Sequence, residues 1–298
     1  MLSYPCSHGF CFDSLGPYFG RVLMSSNKYM KQINNHNLDH DSYYIDTEYV
    51  TNSMLNNLTG KSPEYFKHIM ENPQPASAAM RFGSALHMRV LQPEEYSKHY
   101  VVMPKFDKRT KQGKEDFEAF TNKHMFKTVL SQEDHDTIQE ITSKLFQDND
   151  AVELLSNGEK EHIVVWHNEE YDVNCKGMLD VFNKERNIIV DLKTTKDTSY
   201  FGFAAAIKKY NYHKQAAFYM DAVKADEYYI VAVEKTKPYS ISIVQLGDDL
   251  IDRGRELYNR DLEIYKYCVD NNYWPGQGFD YLDKKSKRTI HIMTEDIL

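Results

Sequence analysis

The chain has 298 residues, 41% of them hydrophobic and 27% charged, with 36 basic against 44 acidic side chains and a net charge of −8. That length buries a proper core, as one large α/β domain or two small ones. The acidic balance excludes a uniformly basic coat for nucleic acid, though not a local basic groove.

Residues 1–40 are rich in Ser, Asn, Gly and His without periodicity. A poorly ordered tail is expected there, with 41–298 as a single domain and Met24 and Met30 as alternative starts to Met1. No basic-then-apolar leader is visible, and no run approaches the ~18 apolar residues that a membrane helix needs. Cys6, Cys11, Cys175 and Cys268 include no CxxC pair, which fits free thiols in a reducing, cytoplasmic setting. Asn52 or Ser53 caps a short helix through Leu58. Ser62-Pro63-Glu64 opens another through Met70, with Ser at the cap and Pro in the first turn. A third runs from Ala76 to Leu91, interrupted only by Gly83. Pro93–Tyr96 begins a helical turn, and Tyr100–Met103 is strand-like.

Pro104–Lys114 reads as a loop carrying Lys105, Lys108, Arg109, Lys111 and Lys114 around Phe106. Such a run is often only a solvated face. Here it is a candidate contact for a DNA backbone, which would be sequence-independent and weakened by salt. Amphipathic helices are predicted over Glu115–Leu130 and, after a Ser131 cap, Glu133–Leu155. Three strands follow: Glu161–Trp166, Tyr171–Phe182 and Asn187–Lys193. Thr198-Ser199 caps a helix from about Tyr200 to Lys224. Strands at Glu227–Val233 and Tyr239–Leu246 precede a long helix from Asp248 to about Asp270, and Trp274-Pro275-Gly276 ends the fold. The order predicts a mixed sheet flanked by helices on both sides. A second basic run, Lys284–Arg288, lies beyond it.

The most informative stretch is the last strand of the hairpin, where an apolar run carries Asp191 and Lys193 in its final three positions. With the turn over 184–187, Asn183 faces Ile188, Val181 faces Val190 and Asp180 faces Asp191. Side chains alternate along a strand. Asp191 and Lys193 therefore share a face with Ile189, while Ile188, Val190 and Leu192 pack under helices on the other. Two carboxylates across a strand pair repel each other, unless a divalent cation lies between them. The plain alternative is a pair of surface acids with Lys193 as their ion-pair partner.

Further motifs weigh against that alternative. Asp180…Asp191-Leu192-Lys193 matches the PD-(D/E)XK nuclease core, and Gly83-Ser84-Ala85-Leu86-His87 resembles the G-x-x-x-H helix of its RecB-like branch. Arg81–His87 with Leu91–Tyr96, Asp107–Lys114, Tyr212–Tyr219 and Trp274-Pro275 together resemble the C-terminal nuclease of the exodeoxyribonuclease VIII family, the phage and prophage recombination exonucleases. The resemblance runs from about Tyr49 to the end. The sequence departs from the family at Leu179, where proline is usual, and at Met178, where a basic residue is frequent, leaving Lys176 nearby.

The resemblance implies a PD-(D/E)XK, restriction-endonuclease-like α/β core. It also implies a 5′→3′ exonuclease on double-stranded DNA ends that leaves 3′ single-stranded tails for a single-strand annealing recombinase. Mg²⁺, with Mn²⁺ as a substitute, would be held by His87, Asp180, Asp191 and the Leu192 carbonyl. Lys193 would orient the attacking water, and Gln215 would bond near the nucleophile or hold Lys193. Lys176, Tyr212, Tyr219 and Arg81 join the basic loop as candidate DNA contacts. Homo-oligomerisation as a ring-shaped tetramer, with basic residues lining the channel, would reconcile acidity with DNA binding. The rival readings are an inactive nuclease-fold scaffold and a RecB-like nuclease of different polarity. An iron–sulfur variant is disfavoured, because only Cys268 lies downstream of the core.

Overall fold

A computed structural model describes residues 30–32, 43, 48–280 and 285–286. The remainder of 1–47 and of the second basic run, with Cys6 and Cys11, lies outside them. Its centre is a six-stranded mixed sheet: β1 (Met30–Gln32), β4 (Glu159–Asn168), β5 (Val173–Asn183), β6 (Ile188–Thr195), β7 (Glu227–Glu234) and β8 (Ile241–Gln245). Strands β4, β5 and β6 form the antiparallel meander. β6 and β7 are parallel, and β8 returns antiparallel. β1 falls within the stretch expected to be a tail and pairs with the edge of β4.

Helices cover both faces, as the alternating pattern of β6 requires. Ile189 enters a core with Phe203, Ala216, Phe218 and Tyr258, while Ile188, Val190 and Leu192 enter a second core with Leu86, Ile138 and Ile141. The first face carries α1 (Asn52–Leu55), α2 (Pro63–Glu71), α8 (Tyr200–Tyr210), α9 (Tyr212–Val223) and α10 (Asp248–Asp270). The second carries α3 (Ala78–Leu91), α4 (Pro93–His99), α6 (Gln132–Gln147) and α7 (Asn149–Ser156). Ser62, Ser77, Ser131 and Ser199 each accept a backbone N–H in the first turn of the helix they precede, which fixes those starts. Among the described residues no helix is long and apolar enough to cross a membrane, and Cys175 and Cys268 are buried.

The first predicted helix is capped by Thr51 instead of Asn52 or Ser53 and ends at Leu55 instead of Leu58. Three others differ more. The basic stretch is loop only to Thr110, whose hydroxyl accepts from Gly113 N–H and starts α5 (Lys111–Lys123). Lys111 and Lys114 are therefore helical, and 128–130 form β3, parallel to β2 (Tyr100–Val102). The helix expected over 133–155 is divided at Asp148, whose carboxylate caps Ala151 N–H of α7. The one expected over 200–224 breaks at Asn211, which is left-handed at φ 55°, a conformation asparagine tolerates better than most residues. Beyond Trp274, which stacks on Phe66, a short pair β9 (Phe279–Asp280) and β10 (Lys285–Ser286) follows.

Where α9 crosses α10 the backbones nearly touch. A Cβ on Gly254 would lie 2.2 Å from the His213 carbonyl oxygen. Beside that crossing Lys214, with no exposed surface, reaches Asp261 at 2.8 Å and Thr59 Oγ1 at 2.7 Å. Burial lowers the Lys214 pKa, and the Asp261 charge opposes that shift.

Candidate active site

The site forms where the meander opens. The β5–β6 pairing ends at Val181↔Val190. One step further, Asp180 Oδ2 accepts the Leu192 N–H at 2.8 Å in place of a ladder bond. Across β5 the pairing steps from Lys160↔Val181 to His162↔Leu179, leaving Glu161 opposite Asp180. Glu161 has φ 49°, in the left-handed region that a glutamate seldom occupies and whose strain recurs at functional sites.

Three side chains converge there. Ligand atoms of His87 on α3, Glu161 on β4 and Asp180 on β5 all lie within 4.8 Å of one another, and His87 Nδ1 is 3.3 Å from Asp180 Oδ2. One imidazole and two carboxylates are a donor set that fits a divalent cation such as Mg²⁺ or Mn²⁺. Asp191 adjoins this group but is turned to Lys193, whose Nζ is 2.5 Å from its Oδ2. Gln215 Nε2 donates to Asp191 Oδ1 at a long 3.4 Å.

The charges are strongly coupled. Burial alone would lower the His87 pKa, but the Asp180 carboxylate outweighs it and holds the imidazole at about 9. Burial, reinforced by the Asp180 charge, pushes Glu161 up to about 7. Burial also raises Asp191 against the pull of Lys193. Asp180 is lowered, because His87 and Lys193 overcome its desolvation. For Lys193, Asp191 and Asp180 overcome burial and keep the ammonium charged. Opposing forces of this size on a single cluster recur at functional sites and in structural ion-pair networks alike.

The structure thus brings together His87, Asp180, Asp191, Lys193 and Gln215, with Tyr212 at the rim, 5.3 Å from ring centroid to Lys193 Nζ. The sequence reading missed Glu161. Its only signal was an acid directly across the β4–β5 register from Asp180.

Two residues are corrected as DNA contacts. Lys176 is 3% exposed and donates to the Tyr43 carbonyl at 2.5 Å, so its charge is spent inside the protein. Tyr219 is 9% exposed, with its ring against Gly177, and it hydrogen-bonds Gln215, so its ring offers no open face to DNA. A Cβ on Gly177 would lie 2.7 Å from that ring. Gly177→Val is therefore expected to cost about 1–3 kcal/mol of stability, read as a lower urea midpoint. An unchanged midpoint would show that the ring moves freely.

Arg81 is exposed and folds back to the Ala76 carbonyl. Six residues before His87, it points about 120° away around the helix. Lys105, Lys108, Arg109, Lys111 and Lys114 are all exposed. Their visible partners are local: Lys108 lies over Phe117, Arg109 pairs with Asp107 and Lys111 with Glu115. Phe106 packs on Phe117 and Phe120 and is not a free stacking ring.

A mixed sheet with an acid on each of two antiparallel strands, and D-x-K on the strand that crosses over in parallel, defines the PD-(D/E)XK class of fold. The model of the family described as "PDDEXK-like domain of unknown function (DUF3799)" matches residues 52–285, and the chain belongs to that family. A solved structure from Eubacterium rectale, named "Putative exonuclease", is similar at TM-score 0.60 and 16% identity, covering 88% of this chain and 98% of its own. A phage related exonuclease from Haemophilus somnus 129PT, also 16% identical, covers 64% of this chain and 95% of its own at TM-score 0.33, too low to bear on the fold. No curated protein sequence matches the chain.

Proposed function

We infer that the protein is a metal-dependent deoxyribonuclease that hydrolyses phosphodiesters from duplex ends. The observation that carries this reading is the convergence of His87, Glu161 and Asp180 beside an Asp191–Lys193 pair. His87, Glu161, Asp180 and the Leu192 carbonyl would hold the cation, with Asp191 alongside. In a strand a residue's N–H and C=O point the same way, so the Leu192 carbonyl faces Asp180 as its N–H does. A bound divalent ion would neutralise phosphate charge and activate water.

The remaining work belongs to the chain's own residues. Lys193, held charged, donates to the attacking water or to a phosphate oxygen as negative charge builds there. Asp191 fixes that ammonium, and Gln215, itself bonded by Tyr219, fixes Asp191. The water oxygen then attacks phosphorus as one of its protons passes to solvent, and the bond to the departing sugar oxygen breaks, that oxygen taking a proton from solvent to leave as a hydroxyl. The 5′→3′ polarity, the 3′ single-stranded product, a single-strand annealing partner and a ring-shaped homo-oligomer follow from the likeness to recombination exonucleases and are part of the proposal. The name of the Eubacterium rectale structure is consistent with it.

The test is a linear, 5′-phosphorylated duplex incubated with the protein and Mg²⁺ or Mn²⁺. Progressive loss of duplex that EDTA abolishes is expected. No metal-dependent loss would favour the scaffold reading. Glu161→Gln is expected to weaken Mn²⁺ binding, followed by calorimetry, by at least about tenfold, the scale on which even supporting residues of metal sites act. Unchanged binding would remove Glu161 from the ligand set.

A further inference from the structure

Residues i and i+2 of a continuous helix do not face each other, so an unbroken helix would separate Tyr210 from Tyr212. The left-handed Asn211 between α8 and α9 instead brings the two rings into a stack, 5.6 Å between centroids and 27° between planes. The stack runs outward from the site. Lys193 Nζ lies over the inner ring, and Lys209 Nζ lies 5.2 Å from the centroid of the outer one. Lys235 lies within electrostatic reach of Tyr210, of Lys196 and of one carboxylate, Asp134. It reaches 5.2 Å from the Phe82 ring on α3, the helix that carries His87. Tyr210 is 50% exposed.

An exposed aromatic face among ammonium groups, continuous with the lysine of the active site, matches a polyanion that carries flat apolar groups. Nucleotides have that chemistry, but a duplex hides its base faces within its own stack. A duplex leaves open only the outer face of its terminal pair, whereas an unpaired strand can offer any of its bases to the ring. We propose that Tyr210, with Lys209 over its ring and Lys235 in electrostatic reach, stacks on an unpaired base of the strand that Lys193 addresses. The enzyme would thus engage a frayed or single-stranded end rather than an intact helix. The proposal rests on the nuclease reading for the identity of its substrate and adds to it the state of the strand.

The test uses the full-length protein in EDTA. Fluorescence anisotropy would compare a 5′-phosphorylated single-stranded oligodeoxynucleotide with a blunt duplex of the same length. Tyr210→Ala is expected to weaken single-strand binding on the order of ten- to a hundredfold, with little change for the blunt duplex. Tyr210→Trp is expected to restore it, and an abasic oligonucleotide to reproduce the loss with the unaltered protein. Single-strand binding by Tyr210→Ala within about twofold of the unaltered protein, or an equal loss for duplex and single strand, would overturn the proposal. Cleavage measured alongside with Mg²⁺ keeps the two readings apart. Tyr210-dependent binding without cleavage sinks the nuclease and leaves the stacking site. Cleavage with Tyr210-independent binding does the reverse.

Discussion

Lys193→Ala is expected to slow metal-dependent duplex loss by about 10²–10⁴-fold, the range for removing a proton-transfer or charge-stabilising group from an active site. The ammonium is 2.5 Å from Asp191, and the combined charge of Asp191 and Asp180 keeps it protonated despite burial. Alanine removes the one cation of the site that comes from a lysine, at the point where charge accumulates on the phosphate. It also leaves His87 to balance both Asp180 and Asp191. Arginine keeps the charge but presents a planar fork in place of a compact ammonium, so little rescue is expected. Asp191→Asn should fall in the same range. Because the two act as a unit, the double variant should lose little more than either single one. The measurement is the initial rate on a labelled linear duplex, with a melting curve showing each variant folded. Full activity in Lys193→Ala would remove the lysine from the chemistry, and multiplicative losses in the double variant would show two independent roles.

Asp261→Ala is expected to destabilise the fold by about 3–5 kcal/mol, the cost of leaving a buried charge without its partner. Lys214 and Asp261 have no exposed surface. Asp261 also accepts from Thr59 Oγ1 at 2.5 Å and from Arg260 at 3.2 Å, so one carboxylate ties α9, α10 and the turn after α1 together. Truncating it strands the Lys214 ammonium in apolar surroundings. Replacing both partners with apolar residues, Lys214→Met with Asp261→Leu, should recover much of the loss, since a well-packed apolar pair is often no worse than a buried ion pair. Urea unfolding reads both variants. A loss under about 1 kcal/mol for Asp261→Ala, the scale of exposed pairs, would mean that water reaches Lys214. Helix α9 carries Tyr212, Gln215 and Tyr219, so activity should fall with the folded fraction.

The parts legible in the sequence were those set by short-range periodicity. The alternation of β6 gave the faces of Asp191 and Lys193, and the turn over 184–187 gave the observed pairs Asn183↔Ile188 and Val181↔Val190. Serine caps at Ser62, Ser131 and Ser199 gave three helix starts. The missed features depend on longer-range or local backbone events. Apolar periodicity continues through Asp148 and Asn211, so neither break was visible, yet the second creates the Tyr210–Tyr212 stack. Glu161 joins the site only because β4 lies in one register against β5 and its own backbone turns to φ 49°. Lys176 looked outward from a strand. Its burial depends on Tyr43, from a stretch with no pattern to read.

The most direct measurement is an anomalous difference map from crystals soaked in Mn²⁺. A peak is expected within coordination distance, about 2.0–2.5 Å, of His87, Glu161 and Asp180. Strong peaks confined to other parts of the molecule, or none between those three side chains, would contradict it.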